Sequence, residues 1–201
     1  MENAQLIGLS RQIALRNQMS VVANNVANIN TDGYKSQDIL FEEYVMPVAS
    51  HNDFSFADQP LSYTQDWATT NDFSGGAIAR TGNPLDIALQ GDGFLAVQTA
   101  AGERWTRAGT LKTDNTGLLV DSNGNPVLSQ GGQIRFAPNE TDIQFNPDGS
   151  ILTSQGNKGF LRIVEFADPQ ALTREGDNLF AGGEPIVSTT TKVIQGAVER
   201  S

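Results

Sequence analysis

Residues 21–35 read VVANNVANINTDGYK. The Val and Ala positions recur at helical spacing, yet Asn24, Asn25 and Asn28 sit among them. Asparagine is a poor helix residue because its amide competes for backbone hydrogen bonds. Asn30, Thr31, Asp32 and Gly33 then supply a stop, with Gly33 suited to the left-handed position that closes a helix. Reading back toward the amino terminus, the pattern predicts one long helix from about residue 3 to residue 29. Leu15, Met19, Val22, Val26 and Ile29 form one stripe at spacings of 4, 3, 4 and 3, as a coiled-coil seam requires. Leu6, Leu9 and Ile13, continued by Ala23 and Ala27, form a second, so the apolar surface is two-sided.

Such a helix needs partners. Burying each seam side chain is worth about 1.5–3 kcal/mol, and isolated helices nucleate poorly. No second helical pattern follows, so the helix is expected to pack on helices that this chain does not contain. Asn24, Asn25 and Asn28 lie beside or between the stripes, where their amides would bond across helices. A polar group at a packed interface costs stability but fixes register. The alternative is that these asparagines face water or serve only the helix stop.

Residues 34–74 lose all sustained period and carry acidic residues with scattered aromatics. They read as an extended connector, with room for a strand pair, and irregular segments of this length are usually functional or ordered by a partner. From residue 75 to 193 the signals are β. LDIALQ, GFLAVQ, RWTRAG, GLLVDS and GFLRIVEF are short apolar runs, separated by turn chemistry such as QGDG, DNTG, DSNGNP and NPDGS. Many short strands at this spacing predict a sandwich or barrel-like β domain. The expected organisation is a helix over 1–33, a connector over 34–74, a β domain over 75–193 and a returning segment over 194–201. The fold class is mainly β with an amino-terminal coiled-coil-type helix.

Composition narrows the chemistry. The 201 residues carry a formal charge of −10 and no basic run, which argues against nucleic acid and against docking on an anionic membrane. No stretch approaches the roughly 18–20 apolar residues of a membrane span. There is no cysteine and one histidine, His51, so neither a thiolate nor a zinc site is expected. The start, MENAQLIGLSRQ, has no basic and apolar regions of a cleavable signal. Two stretches imitate calcium loops, Asn28/Asn30/Asp32/Gly33 and Asp121/Asn123/Asn125/Pro126. The first has Ile39 where a bidentate Glu is needed and the second has Pro where Gly is needed, so both read as turns. Asp86 and Asp92 flank a strand-like run, but chance carboxylate pairs are expected among 23 acidic residues. QGDGF reads as a tight turn, since its Asp would repel a phosphate. No catalytic residue, cofactor or metal is expected.

Three blocks together resemble the flagellar basal-body rod and hook family. VVANNVANINTDGYK is similar to its rod signature through Asn24, Asn25, Ala27, Asn28, Asn30, Thr31, Gly33, Tyr34 and Lys35. TGNPLDIALQGDGFLAVQT resembles its central block through Thr81, Gly82, Asn83, Pro84, Leu85, Asp86, Gly91, Gly93 and Phe94, with Leu95 where a second Phe is common. RWTRAGTLKTDNTGLLVDSNGNPVL is similar to the block that follows, with Trp105 and Leu111 as departures. The opening residues look closest to the proximal-rod branch, with the distal-rod branch as competitor. Members continue past a stretch like QGAVERS into a carboxy-terminal helix that pairs with the first; this chain ends there. The resemblance implies a self-assembling structural subunit of the periplasmic rod that transmits torque. It would be exported by the flagellum's own type III apparatus, with other rod subunits as partners. Leu15, Met19, Val22, Asn24, Asn25, Val26, Asn28 and Ile29 would form the assembly interface. In 81–86, Pro84 biases Asn83 toward extended geometry and Gly82 permits a bend that would brace the β domain against the connector. The competing classes are a stalked β-rich binding module, with Tyr63 and Trp67 as its aromatic platform, and a glycan hydrolase.

Overall fold

A computed structural model describes residues 2–46 and 61–200, which divide into two units. His51 lies outside the described residues, as do the side chains of Tyr63 and Trp67.

The first unit joins helix α1 (Glu2–Ala27) to strands β1 (Gln37–Met46) and β2 (Leu61–Asn71). The two strands pair antiparallel from Gln37 opposite Asn71 to Met46 opposite Leu61. The register slips between Leu40, opposite Ala68, and Phe41, opposite Asp66, leaving Trp67 as the extra residue of a bulge. Most of the irregular connector is therefore a long strand pair. Its β-branched and aromatic content suits strands, but its pairing is set across the chain and not by any local period.

The helix stops at Ala27, short of the expected residue 29. The Asn28 carbonyl instead accepts from the Thr31 amide at 2.9 Å, and its side-chain oxygen accepts from the Thr31 hydroxyl at 3.3 Å. This local competition ends the helix early. Ser10, Ala14, Asn17, Val21 and Asn25 form the more buried helical stripe, lying along the strand pair. The helix thus turns mainly small and polar residues, with Ile7 and Val21, toward its own strands and leaves Leu9, Ile13, Leu15, Met19, Val22 and Val26 outward.

The second unit comprises residues 28–35 and 73–200. Its first strands are β3 (Ala77–Arg80), β4 (Ile87–Gln90), β5 (Phe94–Thr99), β6 (Gly102–Thr106), β7 (Lys112–Thr113), β8 (Leu119–Val120), β9 (Leu128–Ser129) and β10 (Gly132–Gln133). There follow β11 (Gln144–Phe145), β12 (Ser150–Thr153), β13 (Gly156–Phe160), β14 (Ile163–Glu165), β15 (Thr173–Glu175) and β16 (Leu179–Ala181). The last are β17 (Ile186–Val187), β18 (Lys192–Gln195) and β19 (Ala197–Arg200). The main sheet runs β15-β16-β6-β5-β14-β17, and small antiparallel sheets surround it without closing a barrel.

Strand alternation divides the core in two. Leu95, Val97, Ile163 and Leu179 enter one cluster, while Phe94, Ala96, Val164 and Phe180 enter another on the opposite face. A sheet covered on both faces needs continuous apolar runs, which is why GFLAV and IV show no polar alternation. Phe94 is central to the second cluster, with Phe73, Phe166 and Phe180 edge-on at 5.6–5.9 Å for its own pairs. The Trp105 indole NH donates to the Gly182 carbonyl at 3.0 Å, so its one polar atom is satisfied inside that cluster.

Residues 194–200, read from sequence as a return segment, are the end of β18, a turn at Gly196 and β19. β19 pairs with β3 and β18 pairs with β4.

Candidate functional site

The seam positions on α1 are exposed: Leu15 at 64%, Met19 at 69%, Val22 at 50% and Val26 at 64%. Leu9 and Ile13, from the second stripe, are half exposed as well. Ile29 is also exposed, but with Asn28 it lies beyond the helix and belongs to the second unit. Asn24 is exposed on α1. Asn25 is engaged inside its own unit: its amide donates to the Gln37 carbonyl at 2.8 Å and accepts from the Gln37 NH at 3.1 Å. That two-way bond fixes where β1 begins. The structure thus distributes the three asparagines among three settings.

The end of the rod signature is a plug in the β unit. The Asp32 carboxylate accepts from the Thr110 hydroxyl at 2.6 Å, and the Asn178 amide donates to the Asp32 carbonyl at 3.3 Å. Asn178 and Asp177 hold left-handed backbone in the tight turn between β15 and β16, where Asn and Asp are tolerated. The Gly33 NH donates to the Glu199 carbonyl at 2.8 Å. Tyr34 is buried beneath the Arg174 guanidinium, 4.2 Å from its ring centre, and Arg174 also donates to the Lys35 carbonyl at 2.9 Å.

Lys35 carries a charge into the interior. Its ammonium donates to the Ser74 carbonyl and to Glu199 Oε1, both at 2.6 Å. Arg107 Nε lies 3.1 Å from Glu199 Oε2, and these three side chains are at most 3% exposed. Arg107 also donates to the Gly91 carbonyl at 2.7 Å and to the Gly93 carbonyl. QGDGF is therefore a turn folded around a buried guanidinium. Burial pushes the Arg107 guanidinium below its ordinary value, opposed by the Glu199 and Asp92 carboxylates.

Thr81 to Asp86 all lie opposite Gly196, between the two paired ladders. The Gly196 carbonyl accepts from the Thr81 NH at 2.8 Å, and the Gly196 NH donates to the Asp86 carbonyl at 2.7 Å. Asn83 donates to the Asp86 carboxylate at 2.8 Å, and Gln195 donates to the Pro84 carbonyl at 2.7 Å. Leu85 packs on the large core. Beyond the bonds within the bend itself, its backbone groups pair with Gln195 and Gly196, at the β18–β19 turn.

Chemically, these arrangements bind chain to chain. Asp86 is committed to Asn83, and Asp121 to the Asn123 and Asn125 amides at 2.9 and 2.8 Å. A polar cleft of ≈ 460 Å³ lies beside the plug, lined by Asn28, Asp32, Thr110, Asn123 and Asp177 among others. Among the described residues no helix is long and apolar enough to cross a membrane. Sequence reading missed Arg107, Arg174 and Glu199. The available signal was Ala197 and Val198 beside Glu199, a charge inside an apolar strand.

Known families match over the helix with the segment that follows it and over part of the β unit. Residues 6–35 match the model described as flagella basal body rod protein, and residues 88–153 the model described as the flagellar hook protein FlgE/F/G D1 domain. The flagellar basal-body rod protein FlgF of Caulobacter vibrioides is 35% identical over 100% of this chain and 82% of its own length. FlgF of Mesorhizobium japonicum is 30% identical over the same shares. FlgG of Bacillus subtilis is 31% identical over 86% of this chain and 70% of its own. With the signature plug, the central block and the full-length likeness in agreement, the chain belongs to the flagellar basal-body rod protein family.

Proposed function

We propose that this chain is a structural subunit of the flagellar basal-body rod, assembling through α1 with other rod subunits to carry torque. The observation that carries the reading is the exposed apolar seam of Leu15, Met19, Val22 and Val26 on a helix whose own strands take its small and polar face. A helix arranged this way is stabilised by further helices. Full coverage by FlgF relatives favours the proximal rod, and the FlgG likeness makes the distal rod the second reading. Export through the flagellar type III apparatus, without a cleaved signal, and residence in the periplasmic rod accompany this role. The assembly is made with identical or similar subunits and involves no catalysis, cofactor or nucleic acid.

The test is complementation of a strain lacking the protein. The native chain in its full genomic context restores rods and swimming. Leu15→Asp with Val22→Asp leaves the β unit's melting temperature unchanged but yields no assembled rod. Swimming by that double variant overturns the reading, and the stage at which rods stop without the protein distinguishes proximal from distal.

A further inference from the structure

We infer that Glu199 is a positioning residue that latches the rod-signature segment 28–35 onto the β unit, so that this segment docks only once the last described strand is in place. One carboxylate gathers three separate stretches. Oε1 accepts from Lys35 Nζ at 2.6 Å and from the Gly76 NH at 2.8 Å, while Oε2 faces Arg107 Nε at 3.1 Å. The Glu199 carbonyl takes the Gly33 NH, and Asp32 bridges to Arg200 next door. Lys35 and Glu199 are 164 residues apart in sequence, so the contact forms only after the intervening strands have been placed.

The charges explain why the latch is all or none. Two cations share one carboxylate in a buried site, where Arg107 Nε and Nη2 and Glu199 Oε2 make no hydrogen bond among the described residues. Without the Glu199 charge, Lys35 and Arg107 lose the carboxylate they share, and a weakened balance of buried charge drives local opening. Lys35 is the cation on segment 28–35, with one carbonyl partner in Ser74, while Arg107 is tied to two, the Gly91 and Gly93 carbonyls. Segment 28–35 therefore releases first. The aromatic cluster around Phe94 contains none of these groups and keeps its packing.

Hydrogen exchange on the full chain tests this, comparing fragments over 31–36 and 74–78 with fragments over 94–106 and 161–166. In Glu199→Gln, exchange in the first pair accelerates on the order of a hundredfold, while the second pair changes by less than about threefold. Lys35→Met, which keeps the Glu199–Arg107 pair, releases the same fragments and serves if the first variant does not fold. Combining both changes opens 31–36 no further than the larger single effect, as expected for members of one unit. Equal acceleration in all fragments makes Glu199 a general stabiliser and overturns the latch. So does unchanged exchange at 31–36, or additive effects in the double variant.

Discussion

At Gly33, φ is +68° and a methyl group would lie 2.2 Å from the Ala108 nitrogen. Both the left-handed backbone and the close approach demand glycine, for separate reasons. Gly33→Ala is expected to destabilise the β unit by at least about 2 kcal/mol, the sum of left-handed strain and overlap. Gly8, inside the helix with no described atom beyond the helix's own nearby backbone within 4 Å of an added methyl, is the contrasting position. Gly8→Ala should stabilise α1 by roughly 0.5–1 kcal/mol. Thermal melting followed by near-ultraviolet circular dichroism on the Trp105 cluster separates the two, since only the first change lowers that transition. The sequence identified Gly33 as a helix stop. Its deeper constraint, the backbone of residues 107–108 pressed against it, belongs to the tertiary structure alone.

Helix α1 and its strand pair illustrate how an element divides its surface. A two-stranded sheet needs a helix or further strands packed against it, yet among the described side chains of α1 only Ala14 is buried. Specific bonds therefore matter more than area, and the Asn25–Gln37 exchange is the clearest. Asn25→Ala removes both bonds and leaves the Gln37 NH to find water. The expected loss is about 1–3 kcal/mol, read as faster amide exchange over 36–42 with the β unit's exchange unchanged. Asn24→Ala, at an exposed position one residue away, should weaken assembly more than it speeds exchange over 36–42, the reverse of Asn25→Ala. Helical spacing revealed both apolar stripes, but not the Ser10–Ala14–Asn17–Val21–Asn25 face between them. Small and polar residues become a docking face only when a strand pair lies against them, and no local pattern announces that.

For the whole molecule, an acidic chain should be most sensitive where carboxylates are best bonded. Glu165 accepts from the Ser188 hydroxyl, from Thr190 at 2.7 Å and from Thr191 at 2.9 Å, tying β14 to the segment before β18. These bonds, Ser188 first, hold its carboxyl below the ordinary glutamate value. Asp148 is likewise held low, first by the Ser150 NH and then by the Ser150 hydroxyl, and Asp114 is held low by the Leu118 NH and the Thr116 hydroxyl. A group depressed on folding contributes stability above its unfolded value and loses it as pH falls through the folded one. Urea midpoints should therefore be level near neutrality and decline as pH drops below the ordinary carboxylate range. Glu165→Gln should start lower at neutral pH and decline less steeply, because that group no longer takes up a proton on unfolding. An unchanged slope would remove Glu165 from the acid response.

By itself the sequence determined the elements whose signal is local. These are the long helix with its seam, the glycine turns, and strands apolar enough to be covered on both faces. Periodicity reports such features because a helix or strand repeats its own geometry. Tertiary structure alone decided that Lys35, Arg107 and Glu199, three charges that no local pattern brings together, meet in the interior of the β unit. It also decided that residues 28–35 belong to that unit and not to the helix. The physical reason is common to both: a charge is stable in the core only when its counterion arrives from elsewhere in the chain. Spacing along a sequence carries no record of a partner 164 residues away.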